Sequence, residues 1–352
     1  MAYIGKSPTA APLTSSDVAD GIITTAKLAD DAVTKPKLDD AIDTVNYKNK
    51  LINGDMAIAQ RGTSFTSSGS ANNDDTYHLD RWYVLSDTND VVDITQSSTA
   101  PTNQLYSCAL DVETANKKFG IAQIIENKNC TGLIGQTATL SFKAKASAVD
   151  KLDNVKCAII SWSSTADAVT SDLVSAWGVE GTNPTLASNL TYENTPANLS
   201  VTTSWATYSV SAAIDTSSTT NVAVFIWSDV TDTTAGQFLY ITDVQLEVAA
   251  AASDFEFLPY DVNLQRCKRY FNSFFNENNV PIFQYKGTFR ALYYPFPVTM
   301  RTTPTLTVGT VSGFSAFNSS AISTTGLYAY EDVSSTDTTT MTVGDLELDG
   351  EL

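Results

Sequence analysis

Apolar and polar residues alternate along most of residues 46–260. In the stretches 139–146 and 238–248, apolar side chains recur at every second position. Clusters of Asn, Asp, Gly, Ser and Thr interrupt this pattern at intervals of roughly 8–15 residues. The pattern predicts antiparallel β-strands, each with an apolar face toward the core and a polar face toward solvent.

The predicted strands together make one β-sandwich, because about ten short strands in about 210 residues are typical of that architecture. They are Leu51–Ala59, His78–Leu85, Val91–Gln96, Tyr106–Glu113, Ile121–Glu126, 139–146, Val155–Ser161, Thr207–Ser211, Asn221–Trp227 and Phe238–Val248. A short helix is predicted over Ala168–Trp177, where apolar residues fall at helical spacing.

The character of the chain changes at residues 263–274, which are locally basic and predict a short amphipathic helix or connector. Further strands predict a second, smaller all-β domain: Val280–Tyr285, Thr288–Pro295, Thr305–Val311, Ala321–Tyr330 and Thr339–Leu346. The acidic tail, residues 345–352, is expected to fray.

A ten-residue repeat stands before the sandwich, since residues 20–29 are echoed by residues 30–39. Its apolar positions recur every five residues, which fits neither a heptad nor the period of a helix; they are Ile23, Leu28, Val33 and Leu38. One apolar residue in five buries too little surface to offset the entropy cost of ordering a single chain. Three copies wound around a common axis would bury one another's row of apolar residues. The repeat therefore predicts an extended or helical trimeric stalk, and a disordered acidic linker is the alternative.

The composition of the chain argues against several classes of function. Acidic residues outnumber basic ones 39 to 21, for a net charge of −18, which argues against nucleic-acid binding. The longest purely apolar run, Val222–Trp227, is far shorter than the roughly 20 residues of a membrane helix, so we expect no membrane insertion. Four scattered cysteines without a C-x-x-C pair predict reduced core residues in a chain that folds in the cytoplasm.

The sequence offers few candidates for catalytic residues. A Ser–His or Cys–His mechanism needs a histidine, and His78 alone is available. Glycoside cleavage needs two carboxylates at a suitable separation, which an acidic chain can always supply, so a glycan hydrolase stays an alternative. No short β-helical repeat occurs in residues 46–352, and we expect a protein that is not an enzyme.

Several motifs stand out along the chain: residues 49–62 (NKLINGDMAIAQRG), 79–82 (LDRW), 244–248 (VQLEV), 254–260 (DFEFLPY), 264–271 (LQRCKRYF) and 296–307 (FPVTMRTTPTLT). Together they resemble bacteriophage tail-fibre and related virion proteins. The decapeptide repeat is similar to phage fibre shafts. The resemblance implies a virion component, a tail fibre, that adheres to host cells.

Within residues 49–248, the motifs 53–54 (NG), 135–145 (GQTATLSFKAK), 205–210 (WATYSV) and 241–244 (ITDV) also look like those of the jelly-roll sandwiches of carbohydrate-binding modules. Many of those modules hold a structural calcium near their first and last strands. Asp243 matches the usual carboxylate of the last strand, and Asn53 or Asp55 could add oxygen ligands.

Aromatic side chains are the candidates for glycan contact, since sugar rings stack their apolar faces on aromatic rings. Three of them lie at predicted loop edges: Trp162, Trp177 and Tyr192. Burial in the core is the alternative for each, and it is the expectation for Trp82, Trp205 and Tyr208.

The sequence thus predicts four regions: a virion attachment peptide (1–16), a trimeric stalk (17–45), a carbohydrate-binding-module-like β-sandwich (46–262) and a C-terminal β-domain (263–352). Tyr3 and Ile4 are the predicted attachment residues, because their apolar side chains have no internal core to enter. The predicted partners are two sister copies, a tail hub or adaptor protein of the virion, and a host-surface glycan. The alternative is a purely structural virion component, such as a head fibre or tail adaptor, that binds no receptor.

Overall fold

The fold is taken from a computed structural model that describes residues 47–66, 70–216, 218–274, 283–285, 289–309, 311–312, 318–332, 342–343 and 346–352. Residues 48–352 belong to one unit. The predicted attachment peptide and stalk lie outside the described residues.

Short strands dominate the described residues. Up to the end of the sandwich they are β1 (Ser64–Phe65), β2 (Tyr83–Ser86), β3 (Val92–Ser97), β4 (Ser107–Val112), β5 (Phe119–Ile125), β6 (Thr137–Ala146), β7 (Val155–Trp162), β8 (Val174–Ala176), β9 (Thr185–Leu186), β10 (Leu190–Tyr192), β11 (Ala206–Ala213), β12 (Asn221–Ser228) and β13 (Phe238–Val248). The C-terminal part adds β14 (Phe271–Phe274), β15 (Phe283–Tyr285), β16 (Phe289–Pro295), β17 (Thr305–Val308), β18 (Val311–Ser312), β19 (Asn318–Ile322), β20 (Gly326–Asp332), β21 (Thr342–Val343) and β22 (Leu346–Asp349). The helices are α1 (Asn127–Cys130) and α2 (Tyr260–Lys268).

Two antiparallel sheets form the sandwich. The six-stranded sheet has the order β1-β3-β4-β13-β6-β11, and the five-stranded sheet has the order β10-β7-β12-β5-β2. Their facing side chains make the main core. This arrangement confirms the all-β class and the antiparallel β-sandwich predicted from the period-two pattern.

The five-stranded sheet is buried on both faces, as β12 illustrates. Val222, Val224 and Ile226 enter the main core, whereas Phe225 and Trp227 enter a second apolar cluster on the opposite face. By contrast, the residues of the edge strand β11 alternate between half-buried and exposed. The five-stranded sheet therefore has a covered outer face, while the edge of the six-stranded sheet meets solvent.

Two predicted elements are wrong. Residues 51–59 form bends and turns instead of a strand, because Asn53 and Met56 both adopt the left-handed conformation with φ of 57°. Residues 168–177 contain the short strand β8, paired with β9, instead of a helix. The apolar residues there, which matched a helical spacing, are held by the sheet beneath them.

The C-terminal part is tied to the sandwich through α2 and β14. Helix α2 spans the boundary that the sequence placed at 262/263, and its Cys267 packs with Ile52, Ile58 and Tyr270. The acidic tail does not fray as expected: β22 pairs with β14 on one side and β17 on the other. Besides this pairing, Arg61 forms ion pairs with Asp349 and Glu351, so the tail's charges have partners.

The helices within the described residues are all too short or too polar to cross a membrane.

Candidate functional site

The outer face of the five-stranded sheet carries a continuous row of aromatic rings. Phe225 and Trp227 stack at 4.6 Å between ring centroids and 14° between ring planes. The Tyr192 ring stacks on Trp227 with 6.5 Å between centroids, and Trp177 meets Phe225 edge-on with 5.8 Å between centroids. We call these four residues, together with Trp162 at the end of β7, which packs against the same apolar cluster, the outer aromatic cluster. The structure thus brings together all three aromatic residues that the sequence singled out for glycan contact.

A segment of the chain, residues 163–189, covers part of this cluster. Val169, Leu173 and Trp177 from the segment are buried against the sheet, with Trp177 only 8% exposed. The β8–β9 pair within the segment joins Val174 to Leu186. Trp177 is therefore the part of the cover that packs on the sheet, against Phe225.

A buried ionic network holds the cover in place. The Lys118 ammonium lies 2.5 Å from Asp229 Oδ1, and Lys156 Nζ lies 2.7 Å from Asp229 Oδ2. Lys118 also donates to the carbonyl oxygens of Trp177, Val179 and Thr182, which leaves its side chain 1% exposed. Because a buried charge must be paired and hydrogen-bonded, the network fixes the turn 177–182 over the sheet.

Trp162 and Tyr192 form the half-buried rim of the cluster. The Trp162 indole donates to Thr165 O at 2.9 Å, and the Tyr192 hydroxyl donates to Pro184 O at 2.8 Å. Burial, followed by the nearby Asp229 charge, raises the pKa of the Tyr192 hydroxyl. Both rings are thus held in fixed orientations at the edge of an apolar surface, as a binding site for a sugar ring requires.

Acidic groups lie at the opposite end of the sheet face, on the turn before β2. Burial, and then the charges of Asp74 and Asp172, raise the pKa of Asp75 to about 7. Tyr77 and Tyr83 lie beside it, with ring centroids 5.1 Å apart. A carboxyl group that holds its proton near neutral pH can donate as well as accept a hydrogen bond.

The Asn53-Gly54-Asp55 motif closes the sandwich at its last strand. The Asn53 amide donates to the carbonyl oxygens of Ile58 and Asp80, and its oxygen accepts from the Ile58 backbone N–H. A Cβ at Gly54 would lie 2.0 Å from Val244 O, so glycine is the residue that permits this close approach. The motif that carries the virion-fibre resemblance therefore has a local structural function.

Asp243, the predicted calcium ligand, lies at a bulge in β13 with φ of 53°. Its Oδ2 pairs with Lys143 Nζ at 2.8 Å, and burial raises the pKa of its carboxyl group. Of the other predicted ligands, the Asn53 oxygen is engaged by the backbone and Asp55 accepts from Asn263 at 3.0 Å. An ammonium thus already neutralises Asp243, and this donor set does not fit a calcium ion.

A shallow depression lies between the motif and α2. Its wall includes Asp55, Phe255, Glu256 and Asn263. Glu256 accepts from the Asn49 backbone N–H at 2.8 Å, and Asp55 accepts from Asn263. Its polar groups are largely committed to joining chain segments, so the outer aromatic cluster is the better candidate for a binding site.

His78 lies in the interior, where the protein leaves it 0% exposed beside Phe65. Burial, and then the Arg61 charge, lower its pKa to about 3, so the ring is neutral at physiological pH. The four cysteines are free and buried, which confirms the prediction that they are core residues. Trp82 is also buried, as predicted, while Trp205 and Tyr208 are half-buried.

The remaining predicted site residues lie outside the described residues. They are Tyr3 and Ile4 for attachment, and Ile23, Leu28, Val33 and Leu38 for trimerisation. Phe225 and Trp227 were not among the sequence candidates. The signal that could have found them is the unbroken apolar run of 222–227, because a strand that is apolar at every position is covered on both faces.

The comparison with protein-family models gives no match, and neither does the comparison with curated proteins. Solved structures do show similarity. The enzymatically active domain of tailspike protein 4 from bacteriophage CBA120 is 15% identical, with a TM-score of 0.33, over 58% of this chain and 22% of that chain. The present chain therefore spans about a fifth of the tailspike chain.

Carbohydrate-binding modules are similar as well. The CBM22-1 xylan-binding domain of Paenibacillus barcinonensis Xyn10C is 11% identical, with a TM-score of 0.30, over 55% of this chain and 94% of that chain. A family 16 carbohydrate binding module is 14% identical, with a TM-score of 0.28, over 44% of this chain and 84% of that chain. Similarity at these identities concerns the β-sandwich fold alone.

Proposed function

We propose that this chain is a phage virion fibre protein that adheres to host-surface glycans through the rim of the outer aromatic cluster. The observation that carries the proposal is the convergence of Trp162, Trp177 and Tyr192 with Phe225 and Trp227 on one sheet face. An apolar ring face flanked by amide and hydroxyl groups matches the chemistry of a pyranose, whose axial C–H groups are apolar and whose edge is polar.

The polar groups come from the loops beside the rim. Asn183 lies within 3.0 Å of Lys156, and Asn194 is held by the backbone of Ile159 at 2.8 Å. These amides also donate to Pro196 O and Cys157 O, so they fix the loops beside the elements that carry Trp162 and Tyr192.

The test compares rim variants with a matched aromatic control. Trp162→Ala and Tyr192→Ala are each expected to lower the affinity of the full chain for host-surface polysaccharide by about tenfold, the equivalent of one lost stacking contact. Phe257→Ala removes an aromatic ring that is 67% exposed on the segment before α2, and it is expected to bind as the wild type does. Binding that is unchanged in both rim variants, while circular dichroism shows intact folds, would refute this site.

Three copies per fibre would raise a weak single-site affinity by avidity. The proposed stalk supplies the copies through Ile23, Leu28, Val33 and Leu38. Replacing Leu28 and Val33 together by Asp is expected to give a monomer in light scattering, whereas Thr25→Asp, between the apolar positions, is expected to leave a trimer. A wild-type chain that is monomeric at micromolar concentration would contradict the stalk.

The proposed attachment peptide has its own test. Deletion of residues 1–16, which removes Tyr3 and Ile4, is expected to leave an oligomer that no longer assembles onto particles. Normal incorporation of the deletion variant would remove that function from the peptide.

A structural virion component without a receptor is the second candidate. It is favoured by the burial of Trp177, Phe225 and Trp227, which leaves only the rim of the cluster to solvent. Purified protein that neither adsorbs to host cells nor competes with infection would establish this candidate and exclude adhesion.

A further inference from the structure

The outer face of the six-stranded sheet carries aromatic rings around a lysine. Leu239 and Ile241 enter the main core, so Phe238 and Tyr240, which alternate with them along β13, face outward. Lys145 on β6 lies directly opposite Tyr240 in the antiparallel register. Residues that lie opposite one another in a strand pair share a face, so Lys145 faces outward as well.

Trp205 completes this group from the far side of β6, where it directly precedes β11. Its ring lies 6.3 Å from the Tyr240 ring between centroids, at 60° between ring planes, and Phe238 stacks on Tyr240 at 5.6 Å and 11°. The Lys145 ammonium lies 5.3 Å from the Tyr240 centroid and 5.9 Å from the Trp205 centroid. We call these four residues the basic aromatic patch. All four are half-buried, so solvent reaches part of each side chain.

Backbone hydrogen bonds fix the chain on both sides of the patch. The Ala146 N–H donates to Thr202 O at 2.9 Å, which ties the loop before Trp205 to the end of β6. The Ser147 N–H donates to Phe238 O at 2.8 Å, and the Ser147 hydroxyl accepts from the Phe238 N–H at 2.8 Å. The strands that carry the rings are therefore held in place before any ligand binds, as a binding site requires.

Lys145 supplies a positive charge that no carboxylate of the described residues neutralises. The neighbouring Lys143 pairs with Asp243 at 2.8 Å, whereas Lys145 forms no ion pair within the part of the chain that the structure describes. Its contacts with the two rings are cation–π contacts, which are worth only about 0.5–1 kcal/mol at an exposed site. An anion from outside the chain can therefore pair with this ammonium.

Hydroxyl groups border the patch on β11. Thr207 and Ser209 are exposed, and Thr207 lies opposite Lys143 in the register of β11 and β6. A hydroxyl group both donates and accepts hydrogen bonds, as the hydroxyl groups of a sugar do. One open sheet face thus presents apolar rings, an ammonium group and hydroxyl groups.

We propose that the basic aromatic patch is a second glycan site, which binds a uronic acid. The apolar face of the sugar ring packs on the aromatic rings, and its carboxylate pairs with Lys145. The carboxylate is directed to the Lys145 side, because Asp111 lies opposite Phe238 at the other side of the patch and repels it. The choice of a sugar as the ligand rests on the proposed function, but the site lies on the other sheet from the outer aromatic cluster.

Oligogalacturonate titrated into the full chain tests the proposal, with the methyl ester of the same oligomer as the matched neutral ligand. We expect calorimetry to show binding of oligogalacturonate, and the ester to bind at least about fivefold more weakly because it cannot pair with an ammonium group. Equal binding of the two ligands, or binding of neither, overturns the site. Polyphosphate is charged but has no sugar ring, and we expect it to compete poorly. Competition as strong as that of unlabelled oligogalacturonate would reduce the effect to attraction between charges and overturn the proposal.

Lysine variants separate the patch from the surface charge of the protein. Lys145→Met is expected to weaken oligogalacturonate binding by at least about fivefold, and Lys145→Arg is expected to retain it. Lys151→Met removes the same charge from a surface lysine that pairs with Asp232, and it is expected to change binding by less than about twofold. Equal loss in Lys145→Met and Lys151→Met would overturn the proposal. Because Lys145 is at the surface, Lys145→Met is expected to keep the Tm of the wild type, so misfolding cannot explain its loss of binding.

The ring of Trp205 has its own variants. Trp205→Ala is expected to weaken oligogalacturonate binding by about tenfold, while Trp205→Phe, which keeps an aromatic face, is expected to weaken it by less than about threefold. Unchanged binding in Trp205→Ala would show that the sugar does not lie on this ring and would contradict the site.

Trp162→Ala distinguishes this inference from the proposed function. Trp162 lies on the other sheet, so its loss is expected to leave oligogalacturonate binding unchanged. If Trp162→Ala abolishes that binding and Lys145→Met does not, the rim of the outer aromatic cluster binds the acidic sugar and the patch proposal fails. If Lys145→Met abolishes it while Trp162→Ala and Tyr192→Ala leave binding of host-surface polysaccharide unchanged, the patch stands and the rim proposal fails.

Discussion

Arg269 and Glu126 form a two-point ion pair across 143 residues of sequence. Arg269 Nε donates to Glu126 Oε2 at 3.0 Å, and Nη2 donates to Oε1 at 2.7 Å. The Tyr270 hydroxyl adds a third bond to the same carboxylate at 3.0 Å. Burial raises the pKa of Glu126, but hydrogen bonds from Arg269, Lys128 and Tyr270 outweigh it, and the net shift is downward. This pair joins the C-terminal part to the end of β5.

Glu126→Gln is expected to lower the free energy of unfolding by about 2 kcal/mol, because it leaves a partly buried guanidinium without its counter-charge. Equilibrium denaturation measures the change. Lys128→Ala is the control: Lys128 reaches the same carboxylate but is 62% exposed, so its loss is expected to cost less than about 0.5 kcal/mol. Equal costs in the two variants would contradict the assignment of the energy to Arg269.

Two adjacent lysines, Lys118 and Lys117, provide a test variant and a control variant for the ionic network that holds the cover. Lys118→Met is expected to destabilise the protein by about 3 kcal/mol and to expose the turn 177–182 to protease, since three carbonyls and Asp229 lose their donor. Lys117 pairs with Asp87 at the surface, and Lys117→Met is expected to cost less than about 1 kcal/mol. Limited proteolysis with mass spectrometry locates the cleavage. If the Lys118→Met variant were cleaved elsewhere, the ionic network would not be what holds the cover in place.

Gly120 permits the close contact between β5 and β12. A Cβ at Gly120 would lie 2.2 Å from Ile226 O and 2.7 Å from Trp227 Cα, both backbone atoms that cannot yield without moving the strand. Gly120→Ala is therefore expected to cost about 3 kcal/mol and to disturb the outer aromatic cluster, visible as a change in tryptophan fluorescence. Gly132→Ala, where a Cβ meets no atom within 4 Å, is expected to change stability by less than about 0.5 kcal/mol. A tolerated Gly120→Ala would refute the tight approach of these strands.

Asp75 predicts a pH dependence of stability. Its pKa is raised from 3.8 to about 7 in the folded protein, so between these values the folded state holds a proton that the unfolded state has released. The free energy of unfolding therefore falls as the pH rises from about 4 to about 8, by about 1 kcal/mol after allowance for solvent screening. Asp75→Asn is expected to flatten this part of the profile. The same slope in the variant would assign the proton to another group.

The period-two pattern was sufficient to predict the sandwich strands, because side chains of a half-buried strand alternate between core and water. It failed at residues 51–59, where apolar residues also alternate. There the Asn53 side chain satisfies the backbone of Ile58, and left-handed residues turn the chain. Hydrogen bonds from a side chain to the nearby backbone replaced the hydrogen bonds of a strand pair here. The alternation of apolar and polar residues does not show where such a replacement occurs.

For the candidate site, the sequence selected three aromatic residues one by one as loop-edge side chains. It could not show that they share one cluster, since Trp177 is brought onto Phe225 by the path of the cover and Tyr192 stacks on Trp227 from the neighbouring strand β10. That path depends on Lys118 and Asp229, which are 111 residues apart and pair only in the folded protein.

By itself, the sequence determined the all-β class, the positions of most sandwich strands and the core location of the cysteines, because periodicity and composition are local properties of the chain. Tertiary structure alone decided which face of the five-stranded sheet is covered and which cation neutralises Asp243. Those outcomes depend on contacts between residues far apart in sequence, whose energies exist only once the strands have taken their register.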